Sequence, residues 1–400
     1  MADKPDLIPL DASDVERHLG RPIVGGRQIK EAVCVQDIRA WVQAQHNPNP
    51  LYFDEAYAAT TKFGRIVAPQ SFDIACEQEH GVIPATEGRI PGSHVLWGGC
   101  EWFFYGPRIF PGDRIHCERT PFDYRITDTR FAGPTMFQRG DTVFRNQKGE
   151  TISRLRTTSV RYLVENARRI GLRTGKSEGS EETEWTPEQR SDIEDQKQAW
   201  YRSFRERPLR SGADVQVGER LPPGVLGPHT IVTLATDWRS YLWTRGWGSS
   251  YHEHGAEHRP DNGYLAADPR NGERARLDPD YFDIIYHGPA SAHLDPKFAR
   301  TIGMPRPYAF GASMSAWVID YVSNWAGLEG YVTRSKYSAR APALSGDVTL
   351  LEGTVKSITP DAQAPGFLLA ALEVSMTSGP AGAALGVAEV DVRFPARPAA

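Results

Sequence analysis

The sequence predicts an α+β protein of two similar halves, each an antiparallel sheet wrapped around a central helix. An approximate repeat supports the duplication: Asp54 lies 16 residues before Gln70, and Asp295 lies 16 residues before Gly311. An offset of about 240 residues between the halves is too long for a solenoid and favours one domain used twice. The second observation is hydrophobic periodicity, which changes along each half from the spacing of a helix to that of a strand.

This periodicity predicts the central helices and several strands. In the second half, apolar residues recur at the spacing of one helix face and predict a buried helix over 312–325. Apolar and charged residues alternate over 388–394, which predicts a half-buried strand paired with 367–376. In the first half, we expect a central helix at about 69–80 and a strand over 151–164, where strand-forming residues follow a turn.

A polar stretch containing glycine and serine separates the two halves. It covers 166–184 and is predicted to be an exposed linker. A surface connector helix should follow, because Thr186 can cap it, Pro187 suits its first position and Gln189 completes a capping box. The predicted organisation is a first domain at 1–165, a linker and connector helix at 166–220, and a second domain at 221–400.

Composition and charge exclude several classes of protein. The chain of 400 residues has 46 basic and 50 acidic side chains, so no nucleic-acid partner is expected. No apolar stretch is long enough for a membrane span, and residues 1–14 lack the apolar core of a secretory signal, so neither is expected. The four cysteines form no Cys-x-x-Cys motif and are expected to be reduced thiols of a cytoplasmic protein. The many tryptophans and tyrosines suggest an aromatic-lined cavity for an apolar ligand.

Motifs in both halves resemble one known family. The first half has Asn-Pro-Asn-Pro-Leu-Tyr-Phe-Asp at 47–54, Phe-Gly-Arg-Ile-Val-Ala-Pro at 63–69 and Pro-Gly-Asp at 111–113. These motifs resemble the N-terminal dehydratase domain of the MaoC-like hotdog family. The second half, with His-Leu-Asp at 293–295 and Gly-Asp at 346–347, resembles the MaoC-like domain that often follows it. The resemblance implies a double hotdog, in which two such domains pack side by side.

The resemblance also implies reversible hydration of a 2-enoyl thioester by an aspartate and a histidine. One group accepts a proton from water while the other delivers a proton to the α-carbon. In the first half, Asn47 and Tyr52 stand where the family has the aspartate and the histidine. In the second half, His293 is retained, whereas Gly288 takes the place of the aspartate. The family's pair is therefore incomplete in both halves.

The candidate catalytic residues are His293, by its motif position, and His287, six residues before it. Asn47, Tyr52 and Gly311 are candidates for substrate binding. A glycine at the entry to the buried helix permits close approach of a ligand oxygen, but tight helix packing would also explain Gly311. A purely structural role stays open for each histidine as well.

The expected function is hydration or dehydration of an acyl-CoA-type thioester with a bulky acyl group, in lipid metabolism. Neither a cofactor nor a metal is expected. Arg65, Arg306 and Lys336 are candidates to hold a coenzyme A tail. The alternatives are thioester hydrolysis or another lyase reaction on the same scaffold, and a non-catalytic acyl-binding subunit of an active hotdog partner.

Two further expectations concern assembly and metal binding. A homodimer or a hetero-oligomer with another hotdog protein is expected. The histidines and carboxylates of 251–258 allow a zinc site. No matching ligand cluster occurs elsewhere in the sequence, so a loop is the simpler interpretation of this segment.

Overall fold

The strands of both halves form one antiparallel sheet around buried central segments. The structure is a computed structural model that describes residues 6–23, 32–170, 181–205, 209–242, 293–301 and 304–397. The strands of the sheet are β1 (Ser93–Phe104), β2 (His116–Thr129), β3 (Gly133–Arg145), β4 (Thr151–Leu163), β5 (Gly224–Leu226), β6 (Tyr331–Ala339), β7 (Val348–Pro360), β8 (Phe367–Gly379) and β9 (Ala383–Pro395). The described helices are α1 (Ser13–Glu16), α2 (Val35–Ala44), α3 (Glu55–Ala59), α4 (Val164–Ile170), α5 (Pro187–Arg205), α6 (Ile231–Ser240), α7 (Pro296–Thr301) and α8 (Gly311–Ala326). None of these helices is both long enough and apolar enough to cross a membrane.

The two halves are joined by the pairing of β1 with β6. The strand order is β2-β3-β4-β1-β6-β9-β8-β7-β5, so the strands of the first half continue directly into those of the second. β1 and β6 pair in antiparallel fashion from Gly99 opposite Ser338 to Phe103 opposite Arg334. The predicted fold of antiparallel sheets around central helices is confirmed, with the two sheets fused into one.

α8 is the buried helix that the apolar periodicity predicted over 312–325. It is enclosed almost all round, because strands β1, β6, β7 and β9, helix α5 and the segment Gln70–Cys76 of the first half all contact it. Gly327 ends the helix with a φ of 69°, a left-handed conformation that glycine adopts without steric cost. The predicted hairpin of β8 and β9 also forms, with Val374 opposite Ala388.

The corresponding segment of the first half is not the α-helix expected at 69–80. It consists of three short 3₁₀ turns, at Gln70–Cys76, Gln78–Gly81 and Ile83–Ala85. The carboxylate of Asp73 accepts a hydrogen bond from the adjacent N–H of Ile74, which competes with the helical pattern. The carboxylate of Glu77 likewise accepts from the N–H of Gly81. Local side-chain hydrogen bonds of this kind favour turns over a regular helix.

The connector helix α5 begins as the sequence predicts. The N–H of Thr186 donates to Oε1 of Gln189 at 2.9 Å, and the N–H of Gln189 donates to Oγ1 of Thr186 at 3.3 Å. These two bonds complete the capping box. The helix is less superficial than its sequence indicates, because Trp200 and Phe204 are buried and Trp200 packs against Tyr321 of α8.

Buried side-chain hydrogen bonds link α8 to the first half and to α6. Ser71 of the first half donates to Oδ1 of Asp320 in α8 at 2.7 Å. Asp237 of α6 accepts from Gln45 of the first half at 2.9 Å and from Ser313 of α8 at 2.7 Å. Burial raises the pKa of Asp237 and of Asp320 to about 7, although the hydrogen bonds from the serines oppose this shift. Both carboxyl groups therefore hold a proton in the folded protein at mildly acidic pH.

The Asp320→Asn variant should become more stable, relative to the wild type, as the pH rises. A native pKa raised from 3.8 to about 7 means that the folded state binds the proton more strongly than the unfolded state. The stability that Asp320 contributes is therefore lost as the pH rises from about 4 to about 7. Asparagine does not titrate and keeps an oxygen that can accept from Ser71.

Urea unfolding of both proteins at about pH 5 and about pH 8 measures this difference. The free energy of unfolding of Asp320→Asn, relative to the wild type, should rise by about 2 kcal/mol between these conditions. A difference between the two proteins that stays constant with pH would show that Asp320 is already ionised in the folded state at pH 5.

Candidate active site

His293 is held in a defined orientation just before α7. Its Nδ1 lies 2.6 Å from the carbonyl oxygen of Tyr308. Because a carbonyl oxygen only accepts, Nδ1 carries the proton and Nε2 presents its lone pair. Asp295 accepts a hydrogen bond from the N–H of Lys297 at 2.7 Å, so it caps α7.

Aromatic rings surround the imidazole of His293. It stacks on Phe310 with ring centroids 4.1 Å apart, and its centroid lies 4.2 Å from that of Tyr308. Burial lowers the pKa of His293 to about 4, although the hydrogen bond to Tyr308 opposes the shift. His293 is therefore a neutral imidazole at pH 7, with Nε2 able to accept a proton.

The N-terminus of α8 lies at the wall of the same cavity. Gly311 is the first residue of the helix, it follows Phe310, and no side chain caps the helix. The N–H groups of Gly311 and Ala312 have no acceptor within the helix, and both residues line the cavity together with His293. These donors and the positive end of the helix dipole suit an oxygen atom that gains negative charge.

Gly311 also packs tightly against Trp97 of β1. A Cβ atom at position 311 would lie 2.2 Å from Cγ of Trp97. Tight packing, one of the two explanations for this glycine, is thus present in the structure. A Cβ atom at position 311 would also lie 2.5 Å from Cβ of Trp97, so a larger residue must displace the whole side chain, whose residue lines the cavity.

The cavity beside His293 is large and is lined by both halves of the chain. Its volume is about 1040 Å³. Sites for small molecules commonly enclose about 300–1,000 Å³, so a bulky ligand fits here. Trp97 and His80 come from the first half, whereas His293 and Tyr337 come from the second. The cavity is thus a feature of the paired halves.

The residues that line the cavity belong to both faces of the sheet. β1 pairs with β6 only as far as Gly99, where a bulge interrupts β1 and the φ of Gly99 is 130°. Beyond this point the two strands are not paired. Tyr337 is buried on the inner face and Lys336 is exposed on the outer face, yet both line the same cavity.

The outer rim of the cavity is basic. Its cationic residues are Arg125, Arg139, Arg156, Lys336 and Arg340. Arg139 and Arg156 form ion pairs with Asp123 and Asp141, so their charges are largely compensated. Lys336 and Arg340 are exposed at this rim.

Of the three basic residues that were candidates for a coenzyme tail, Lys336 alone lines this cavity. Arg306 is buried and pairs with Asp347 at 3.0 Å, which is a structural role. Arg65 lies over the ring of Phe110, 4.5 Å from its centroid, away from the cavity lining.

Asn47 and Tyr52 lie near the opposite end of α8. Nδ2 of Asn324 donates to Oδ1 of Asn47 at 3.1 Å, and Tyr52 lines a small cavity together with Asn324. Asn324 follows Gly311 by 13 residues, which corresponds to about 20 Å along a helix. The structure therefore brings His293 and Gly311 together and places Asn47 and Tyr52 apart from them.

The junction of the two halves around Asn47 and Tyr52 is filled by protein. Gln70 stands where the second half has Gly311, and its amide exchanges two hydrogen bonds with the backbone of Val332, at 2.8 and 3.0 Å. Burial raises the pKa of Tyr52 to about 12, so its hydroxyl stays protonated near neutral pH. The cavity here has a volume of about 30 Å³, enough for roughly one or two water molecules.

Some candidate residues cannot be placed, and one unexpected residue appears. His287, Gly288 and the histidines of 251–258 lie outside the described residues. Within the described ranges, no group of three or more His, Cys, Asp and Glu side chains could hold a metal ion.

His80 lines the cavity together with His293. Nothing in the sequence singles it out, since a histidine before a glycine at the end of an expected helix is an ordinary helix terminus.

Comparison with known proteins defines the class of fold. A protein described as a MaoC-like dehydratase is 19% identical, with a TM-score of 0.57 over 95% of this chain and 99% of that one. A putative MaoC domain protein dehydratase from Chloroflexus aurantiacus is 11% identical, with a TM-score of 0.53 over 95% and 96% of the two chains. A double-hotdog protein from Mycobacterium tuberculosis is 12% identical, with a TM-score of 0.50 over 94% and 96%. These similarities show that the chain has the double-hotdog fold.

The first half also matches a family model. Residues 17–155 fit the model for the FAS1-like dehydratase domain region. The predicted resemblance to the MaoC-like dehydratases is therefore confirmed. The sequence has no match among curated proteins.

Enlarging Gly311 should destabilise the protein through its contact with Trp97. We expect Gly311→Ala to lower the free energy of unfolding by about 1–3 kcal/mol, because the added methyl group overpacks the indole. The double variant Gly311→Ala/Trp97→Gly, which removes the Cβ and Cγ atoms that the methyl group would meet, should lose less stability than the sum of the two single variants. Urea unfolding of the four proteins measures this coupling. Additive losses would mean that Trp97 moves aside freely and does not explain the glycine.

Proposed function

We propose that the protein is a hydratase or dehydratase that acts on a 2-enoyl thioester of coenzyme A with a bulky acyl group. One arrangement carries the proposal: the Nε2 lone pair of His293 and the uncapped N-terminus of α8 share a cavity of about 1040 Å³. The dehydratase family model that matches the first half supports the reaction class.

The proposed hydration needs one proton-transfer group. Nε2 of His293 takes a proton from water while the water oxygen adds to C3 of the enoyl group. The electron pair moves to the thioester oxygen, and the N–H groups of Gly311 and Ala312 stabilise the resulting enolate. Nε2–H then gives its proton to C2, which restores the neutral imidazole. Dehydration follows the same steps in reverse.

The charges of the cavity wall support a mechanism centred on histidine. In the described part of the wall the carboxylates are Glu101 and Asp123. Both belong to the outer rim, where Glu101 accepts from Arg334 at 2.7 Å and Asp123 accepts from Arg139 at 2.6 Å. No described carboxylate of the wall is thus available as a second base, which agrees with the loss of the family's aspartate.

The basic outer rim supports coenzyme A as the carrier. A thioester placed at His293 would direct its long pantetheine arm along the cavity, through the gap beyond Gly99. The phosphates would then meet the exposed side chains of Lys336 and Arg340. Both halves of one chain contribute described residues to the proposed site.

A non-catalytic acyl-binding subunit is the second candidate, and the incomplete dyad favours it. One assay distinguishes these two functions from each other and from thioester hydrolysis. It uses a panel of 2-enoyl-CoA and saturated acyl-CoA thioesters, including cinnamoyl-CoA. The proposed hydratase removes the enoyl absorbance without releasing thiol. A hydrolase releases free coenzyme A, and a binding subunit gives saturable binding without turnover.

His293→Gln should lower kcat by about 10²–10⁴-fold, because the amide cannot shuttle a proton. Glutamine can still donate to the carbonyl of Tyr308, so thermal unfolding and substrate binding should change little. His293→Ala should lose activity to the same extent. If His293→Gln turns over like the wild type, the histidine is structural and the catalytic proposal fails.

The pH dependence of the wild type provides a second measurement of the same residue. His293 loses its basic lone pair as the pH falls through its pKa of about 4. The acidic limb of kcat/KM should therefore lie well below 6.5, the usual value for histidine. A limb near 6.5 would indicate a solvent-exposed imidazole.

Removing the exposed rim charges should weaken recognition of the carrier. The double variant Lys336→Gln/Arg340→Gln should raise KM for the preferred enoyl-CoA several-fold, with little change in kcat, because exposed ion pairs contribute about 0.2–1 kcal/mol each. The same thioester on N-acetylcysteamine, which lacks phosphates, should be unaffected. Arg65→Gln is the matched control, since Arg65 is exposed but does not line the cavity. An equal rise in KM for both carriers would contradict a phosphate role.

A further inference from the structure

His80 reaches the candidate active site from the opposite half of the molecule. Its ring centroid lies 4.8 Å from that of Phe310 in an edge-on contact, and His293 stacks on the same ring at 4.1 Å. Both histidines line the large cavity, and His80 is 8% exposed. Two imidazoles, one from each half, therefore share one aromatic neighbour at one cavity wall.

The backbone at His80 is held in an uncommon conformation. Its φ is 58°, in the left-handed region that non-glycine residues seldom adopt, and Gly81 follows with a φ of 74°. A residue in this conformation persists where the surroundings impose it. Glu77 imposes it here by accepting from the N–H of Gly81 at 2.8 Å, while Glu77 is itself buried in an ion pair with Arg119. Thr157 also donates to the carbonyl of Gly81 at 2.8 Å.

The ionisation state of His80 suits a hydrogen-bond donor. Burial lowers its pKa to about 3, and the nearby His293 lowers it further in the same direction. A neutral imidazole keeps one N–H at all pH values near neutrality. Such a group can stabilise an oxyanion by hydrogen bonding without transferring its proton.

We propose that His80 donates a hydrogen bond to the thioester oxygen of the substrate and so completes, from the first half, the oxyanion site formed by the N-terminus of α8. This inference rests on the proposed function for the identity of the substrate. In the proposed arrangement, His293 transfers the proton and His80 polarises the thioester carbonyl. The first half, whose own junction is filled by Gln70, thereby contributes a catalytic residue to the site of the second half.

Ring-preserving variants separate this role from packing. His80→Phe keeps a ring against Phe310 and Tyr241 but has no N–H. His80→Gln keeps an N–H donor. His46→Phe is the matched control, because His46 is the other described histidine with a positive φ, at 53°, and it does not line the cavity. Circular dichroism and thermal unfolding establish that each variant folds.

The kinetic test uses the enoyl-CoA that the wild type hydrates fastest. His80→Phe should lower kcat by about 10²–10³-fold with little change in KM, as expected for loss of one oxyanion donor. His80→Gln should recover at least tenfold of this loss, and His46→Phe should turn over like the wild type. A kcat for His80→Phe equal to that of the wild type would overturn the assignment while leaving the hydratase proposal intact.

A spectroscopic test works without turnover. Octanoyl-CoA labelled with ¹³C at the thioester carbonyl is bound to each protein, and the carbonyl stretch is measured by infrared difference spectroscopy. Binding to the wild type and to His46→Phe should shift the stretch to lower wavenumber, and His80→Phe should lose part of that shift. An identical shift in His80→Phe and the wild type would overturn the inference. If the shift depends on His80 but no enoyl-CoA is hydrated, the inference stands and the proposed function fails.

Discussion

The pairing of β1 with β6 is the interaction on which the rest of the structure depends. It makes one sheet from two halves, and it requires glycine at position 99, because a Cβ atom there would lie 2.2 Å from the carbonyl oxygen of Tyr337. A bulge in β1 lies at the same residue, and β6 ends at Ala339, one residue beyond the last pair, so the earlier residues of β1 that line the cavity have no partner in β6. The contact that fuses the sheet thus also determines where the sheet is open. Both central segments lie under this seam, which explains why residues of both halves meet at one cavity.

Because the domain is duplicated, the two halves meet at two junctions, one near each end of α8. These two junctions differ physically. At one end of α8, Gln70 satisfies the backbone of Val332 and leaves almost no free volume. At the other end, the equivalent residue is Gly311, and the space is shared between an indole ring and a large cavity. Buried polar groups that are fully hydrogen-bonded stabilise a core, whereas an open cavity lined by histidines costs stability. The junction at Gln70 therefore serves the fold, which leaves the junction at Gly311 available for a ligand.

The sequence predicted the features that depend on local periodicity and failed where tertiary contacts decide. The helix around Trp317 and the hairpin of β8 and β9 have strong single-period patterns, and both are confirmed. The segment after Pro69 is helical by spacing alone, but Asp73 and Glu77 form local hydrogen bonds that break it into turns. His293 was selected by its motif. The placement of His80 depends on the broken helix and on Arg119, 39 residues further along the chain, which no local pattern reveals.

The environment of His293 poses a physical conflict that the second half resolves by geometry. The aromatic rings that orient the imidazole also lower its basicity, so it is a weak base in the unliganded protein. The same exclusion of water strengthens any interaction between opposite charges formed inside the cavity. In the proposed hydration, an enolate develops at the N-terminus of α8 while His293 holds the proton taken from water, and the two opposite charges stabilise each other inside the cavity. In this proposal the helix terminus makes a half-buried, weakly basic histidine usable, because it provides a position for the negative charge that supports protonation of Nε2 during the reaction. The resting site, with a neutral imidazole, carries no charge to desolvate.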